Sequence, residues 1–218
     1  MPFFNYSLIT ALIAGGILFV ALPVLFGRGW LLSWLKGCFA LLLVTLSLLL
    51  FAGARLLSDY ESFRPGTGVA KITMIRKSEQ DYELILNFSD KNPQRFQLTG
   101  DQWQLDARLL IWTSGFQRLG VQNGYQFVRL GSRYNSLDDE RHKKRTLYAL
   151  ENHNVFFDFS QLLKLYEFFG LVESFYGNSI FVPLAPEAAY EVFVTETGLL
   201  VKPINEAAQA AVKNWSAK

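Results

Sequence analysis

The stretch Phe39-Ala-Leu-Leu-Leu-Val-Thr-Leu-Ser-Leu-Leu-Leu-Phe51 carries no charge and only two hydroxyls. Extended to Gly37 and Leu57 it meets a single ion, Arg55, close enough to its end for the guanidinium to snorkel to an interface. At about 1.5 Å of rise per helical residue, such a run crosses a hydrocarbon core of roughly 30 Å. Working backwards, Phe3 to Phe26 is also free of charge and predicts a first span. Between the two runs lies Gly27-Arg28-Gly29-Trp30-Leu-Leu-Ser-Trp34-Leu-Lys36. Its two glycines permit a tight reversal, and its tryptophans suit an aromatic belt. Residues 1–58 therefore read as a transmembrane helical hairpin with spans over about 3–26 and 37–57. Arg28, Trp30, Trp34, Lys36 and Arg55 are its interface residues, and the lipid bilayer is its first partner.

A cleaved signal peptide needs a basic n-region, a short apolar core and a small-residue cleavage site. Here no basic side chain precedes the first run, and a second run follows at once. Long domains translocate largely regardless of charge, whereas basic residues in short loops stay inside. Arg28 and Lys36 thus place the hairpin turn in the cytoplasm and both termini outside. Gly15-Gly16 and Pro23 fit the ordinary composition of membrane helices, and the glycine pair would also let another helix approach closely. Cys38 is the only cysteine, so no intrachain disulfide can form. Neither span holds an acid or a histidine at mid-depth, which leaves no proton relay or ion path.

Composition follows the same division. The 218-residue chain is 50% hydrophobic and 15% aromatic, with a mean hydropathy of +0.16. Of its 21 basic and 19 acidic residues, only Arg28, Lys36 and Arg55 fall in residues 1–58. Residues 59–218 carry the other 18 basic and all 19 acidic groups, a net of −1. That balance offers no polycationic surface for nucleic acid, which is set aside as a partner.

Past the turn signal at Pro65-Gly66 the pattern becomes period two. In Trp103-Gln-Leu-Asp-Ala-Arg-Leu-Leu-Ile-Trp112, the side chains of Trp103, Leu105, Ala107, Leu109 and Ile111 share one face, with Gln104, Asp106 and Arg108 on the other. This predicts a half-buried strand, although Leu105, Leu109 and Trp112 also fit a helical stripe. Other expected strands are Val69–Ile75, Tyr82–Phe88, Tyr125–Leu130, Thr146–Leu150, Ser179–Pro183, Tyr190–Thr195 and Leu199–Lys202. Asp90-Lys-Asn-Pro-Gln94 is expected to end the second of these, and Glu196-Thr-Gly198 to join the last two. Two helices are expected. One is capped by Ser160 and ends at Gly170; the other is capped by Asn205, with Ala208, Ala211, Val212 and Trp215 as its stripe. The fold class is α+β, a membrane hairpin followed by one mostly antiparallel β domain over 59–218.

Chemistry is sparse. The two histidines, His142 and His153, lie in polar surroundings. His142 belongs to Asp138-Asp-Glu-Arg-His-Lys-Lys-Arg145, a run that reads as a solvated face. Its sharper reading is that Arg141, Lys143, Lys144 and Arg145 meet phosphate or lipid headgroups. No metal-ligand spacing, phosphate-binding glycine loop or nucleophile elbow occurs, so neither catalytic residues nor cofactors are assigned. The aromatic groups Phe156-Phe-Asp-Phe159 and Phe168-Phe169 call for a buried face or a greasy partner. Asp106, Arg108 and Trp112 would share one strand face, an interaction patch if exposed, because tryptophan and arginine are enriched at binding hot spots.

The tryptophan-centred block Gly100-Asp-Gln-Trp-Gln-Leu-Asp-Ala-Arg-Leu-Leu-Ile-Trp112 carries a resemblance, together with Gly131-Ser-Arg-Tyr134, Phe181-Val-Pro-Leu184, Tyr190-Glu-Val192, Gly198-Leu-Leu-Val-Lys-Pro203 and Asn205-Glu-Ala-Ala208. Over nearly its whole length the chain resembles a family of small bacterial two-span inner-membrane proteins often labelled cation/multidrug efflux pump. The resemblance implies an inner-membrane location with a periplasmic domain, and its label implies transport; it brings no catalytic residue. Two spans without an intramembrane charge are far short of a secondary transporter's repeats. The expected function is therefore an anchored accessory or scaffold protein presenting a periplasmic domain to an envelope complex, transport or efflux complexes among them. The alternative is a tethered periplasmic protein that binds lipid or another hydrophobic ligand.

Overall fold

The computed structural model describes residues 2–25, 30–64, 66–88, 92–150, 170 and 172–216. These divide into two compact units, one within Met1–Ser62 and one from Phe63 onward. The first unit holds two long helices, α1 (Pro2–Leu25) and α2 (Trp30–Leu57), followed by the two-residue strand β1 (Glu61–Ser62). Both helices are long and apolar enough to cross a membrane by length and composition. The second helix begins at Trp30, not at the expected Gly37, so Trp34 and Lys36 stand on a helix and not in the reversal. A continuous helix there lets the carbonyls of residues 30–36 accept from amides four residues on, which an open loop would not. Arg28 and the side chain of Trp30 lie outside the described residues.

The hairpin's buried positions among the described residues are small ones: Ala14 and Ala21 on α1, and Ala40, Ser47, Gly53 and Ala54 on α2. Gly53 apart, on each helix they recur every seven residues, the repeat that keeps one stripe facing a partner along the full length of the seam. Ser47 Oγ donates to the Ala14 carbonyl at 2.6 Å and fixes the register. Counting outwards from that bond, Ala21 comes opposite Ala40 and Ser7 opposite Ala54. The large side chains point away from the seam; Leu12, Phe19, Leu41 and Leu48 are each more than 60% exposed. Gly15 and Gly16 take no part in this packing, since a Cβ added at either would meet nothing within 4 Å. Cys38 is exposed on α2.

The second unit is built on two antiparallel sheets. One, in the order β10-β9-β2-β3-β4, contains β2 (Gly68–Ser78), β3 (Asp81–Phe88), β4 (Gln94–Thr99), β9 (Ala189–Thr195) and β10 (Gly198–Pro203). The other has β5 (Gln102–Trp112) between β6 (Gly124–Arg133) and β8 (Val172–Pro183), with β7 (Leu147–Ala149) on the outer edge of β6. Short helices α3 (Ser114–Arg118) and α4 (Leu137–His142) join β5 to β6 and β6 to β7, and α5 (Glu206–Ser216) ends the chain. The strand β5 pairs on both sides, with Leu105 opposite Leu130 on β6 and Ile180 on β8, which disposes of the helical reading.

The inner faces of both sheets enclose one core, Ile72, Leu84, Leu86 and Leu98 meeting Leu105, Leu109 and Leu130. Each such side chain contributes about 1.5–3 kcal/mol on full burial. Aromatic rings bridge the layers, Trp103 against Tyr190 at 5.9 Å and Phe88 against Phe127 at 6.0 Å. The chain passes from one sheet to the other at Gly100-Asp101. Gly100 has φ +156, and a Cβ there would sit 2.7 Å from the Arg133 carbonyl oxygen, so the corner requires glycine. Side chains tie the outer strands of the first sheet to the second. The Thr99 amide donates to Thr146 Oγ1, Tyr148 Oη donates to the Gln97 carbonyl, and the Leu199 amide donates to Asn178 Oδ1.

The strand β4 was not expected; the apolar alternation Phe96, Leu98 is only two residues long, but pairing of Leu84 with Phe96 and Tyr82 with Leu98 carries it. The C-terminal helix is capped as expected, the Ala208 amide donating to Asn205 Oδ1 at 3.0 Å. Its stripe is packed only in part: Ala208 is buried, whereas Trp215 is exposed. The helix expected after Ser160, together with His153, Phe156–Phe159 and Phe168-Phe169, lies outside the described residues.

Candidate functional site

The charged run that stands out in the sequence folds into α4 and its flanks. Ser136 caps the helix, its Oγ accepting from the Asp139 amide, and three acids fill the first turn where the helix dipole favours them. Three separate connections meet here: the β2–β3 turn, the β4–β5 corner and the β6–α4–β7 segment. Gln80, in the first, has φ +59, an uncommon conformation for a residue with a Cβ. Its side chain donates to Asp101 Oδ1 at 2.9 Å and accepts from Lys143 Nζ at 2.8 Å. Asp101 Oδ2 accepts from the Asn135 amide at 2.8 Å. The left-handed Gln80 is thus held by both of the other connections.

The four basic residues picked from the sequence do not act alike. Lys143 pairs with Asp139 at 3.0 Å, a hydrogen bond that holds its ammonium charged above the usual lysine range, and lies over the Tyr134 ring. Arg145 pairs with Glu140 at 2.6 Å, and Arg133 approaches the same carboxylate. Arg141 and Lys144 are exposed, and no described acid pairs with them. His142 Nδ1 lies 3.1 Å from Asp138 Oδ1. The segment is mostly a self-neutralised network from which two cations project.

The second candidate, Asp106 with Arg108 and Trp112, does not form an exposed patch. Asp106 is buried, with Oδ1 accepting from Gln104 at 2.7 Å and Oδ2 from Arg129 Nε. Arg129 stands directly opposite Asp106 on β6, next to a bulge between Asp106 and Ala107. On the same strand Leu110 is fully buried, so here β5 is enclosed on both faces. Arg108 is half-buried. Trp112 is half-buried against Phe116 of α3; its amide donates to Asn123 Oδ1 and its carbonyl accepts from Gln117 Nε2. The indole nitrogens of Trp103 and Trp112 are buried without an acceptor among the described residues.

On the helical unit, Trp34 and Lys36 are exposed, and Arg55 pairs with Asp59 at 2.8 Å while donating to Ser58 Oγ. Among the described residues no group of three His, Cys, Asp or Glu is placed to hold a metal ion. Gln80, Asp101 and Arg129 were absent from the sequence-derived set. Gln80 and Asp101 matter through contacts between turns that are far apart in sequence, and Arg129 through strand register. Compared with known proteins, the chain matches no family model, no curated protein and no solved structure.

Proposed function

We propose that the protein is a membrane-anchored accessory or scaffold subunit, its helical hairpin seated in a bacterial inner membrane and its β domain offered to an envelope complex from the periplasm. The observation that carries the anchor is the hairpin's inverted polarity. Small side chains and the Ser47 hydroxyl are turned inward, and leucines and phenylalanines outward. Thr10 and Thr45 return their hydroxyls to the carbonyls of Tyr6 and Leu41. Lipid asks for such an arrangement, because association there depends on close packing and internally satisfied polar groups. The resemblance to two-span inner-membrane proteins agrees with it. For the partner, the domain offers the α4 end, where Arg141 and Lys144 project from a cross-braced base.

Reporter fusions at Ser33 and after Leu57 test the topology: a cytoplasmic signal from the first and a periplasmic one from the second are expected, and the reverse overturns the orientation. Crosslinking and purification in mild detergent test the role. A stoichiometric protein partner, weakened by Arg141→Glu with Lys144→Glu, is the expected result. Co-purifying lipid without a partner would favour the hydrophobic-ligand reading instead.

A further inference from the structure

The β domain has two ends, and the chain enters at one of them. The Phe63 amide donates to the Asn123 carbonyl, and Asn123 sits where β5 ends and β6 begins. The Asn123 side chain reaches Glu196 on the β9–β10 turn, so the corresponding ends of both sheets lie here. The helix α4, the β2–β3 turn and the β4–β5 corner are at the other end, about 35 Å away along an eleven-residue strand such as β2.

The entry end has an unusual loop, Thr113-Ser-Gly-Phe-Gln-Arg-Leu-Gly120, built around α3. Leu119 is 80% exposed, the most of any large hydrophobic residue described. Beside it Arg118 is exposed, and Phe116 stacks on Trp112 with ring centroids 6.0 Å apart. Arg64, next to the entry point, is exposed as well. The loop is held from behind: Gln117 donates to the Trp112 carbonyl, and the Val121 amide donates to the Phe116 carbonyl. A presented leucine beside aromatic rings and arginines is the composition that partitions into a headgroup layer. Reach supplies the occupant. Only residues 58–63 separate the end of α2 from the Asn123 contact, a chain that spans at most about 20 Å.

We infer that the α3 loop is a second membrane contact, with Leu119 inserted at the lipid interface and Arg118 and Arg64 facing anionic headgroups. This rests on the proposal that the hairpin lies in the bilayer. Glu196, the acid on the neighbouring turn, has its carboxylate directed to Asn123. Such a contact would hold the domain by its entry end.

The full chain, with Cys38→Ala, is reconstituted in nanodiscs of phosphatidylethanolamine and phosphatidylglycerol, and a fluorophore is placed by Leu119→Cys, Leu137→Cys or Leu42→Cys. Leu137 is exposed at the α4 end and Leu42 on α2. Quenching is read with a lipid nitroxide near the headgroup for positions 119 and 137, and with an acyl-chain nitroxide for position 42. Several-fold stronger quenching at position 119 than at position 137 is expected, and Arg118→Glu should reduce it when phosphatidylglycerol is present. Equal, weak quenching at 119 and 137 with strong acyl-chain quenching at 42 overturns the loop contact and leaves the anchor standing. Weak quenching at all three positions overturns both.

Discussion

Trp103 is the largest side chain that the core encloses completely, and it spans the gap between the sheets to reach Tyr190. Replacing it with alanine should cost about 3–5 kcal/mol in urea unfolding of the domain. Asp106→Ala should cost less, about 1–3 kcal/mol, because it strands Gln104 and the half-exposed Arg129. Arg108→Ala should stay within about 1 kcal/mol of the parent. Equal losses for all three would contradict this ordering. Tyr190 has a measurable pH signature, since burial pushes its phenol up to about 12 from an ordinary 10.0 while its hydroxyl donates to the Pro183 carbonyl. The folded state keeps a proton that the unfolded state releases. Stability is therefore full below pH 10 and falls as pH rises towards 12. Tyrosinate absorbance should show a late-titrating component, and Tyr190→Phe should reduce both that component and its share of the alkaline loss.

At the scale of elements, the seam between α1 and α2 predicts its own crosslink. In a Cys38→Ala background, Ala14→Cys with Ser47→Cys places two thiols where a hydroxyl now touches a carbonyl, and mild oxidation should join them. A pairing shifted by one turn, such as Ala14→Cys with Leu43→Cys, should not react; if it does, the register is wrong. Among the elements, periodicity made β2, β3, β5 and β9 legible, because each alternates against a full apolar face. It could not show that they divide between two layers: the switch depends on Gly100, whose backbone angle and approach to Arg133 involve residues far apart in sequence. The same limit hid the partner of Asp106. Local spacing put Arg108 on the same face as Asp106, whereas Arg129 reaches it only through the β5–β6 register and its bulge. In the charged run the residue types were legible and their neutralisation was not, since Lys143 also reaches back to Gln80.

Across the whole molecule, two units with separate interiors predict two unfolding events. In mild detergent, urea should abolish the near-ultraviolet signal of the β core while the helical signal of α1 and α2 persists to higher denaturant. One concerted transition would refute that independence. The ties at the outer strands of the first sheet have a different consequence. An open strand edge is a template on which an identical strand from another molecule can dock, and the product can grow without limit. Proteins confined to a surface meet one another far more often than in free solution, so such a template would be most dangerous there. The hydroxyls of Thr146 and Tyr148 and the amide of Asn178 occupy main-chain groups on β4 and β10 that a recruited strand would need. These side chains leave less of either edge open to such a strand.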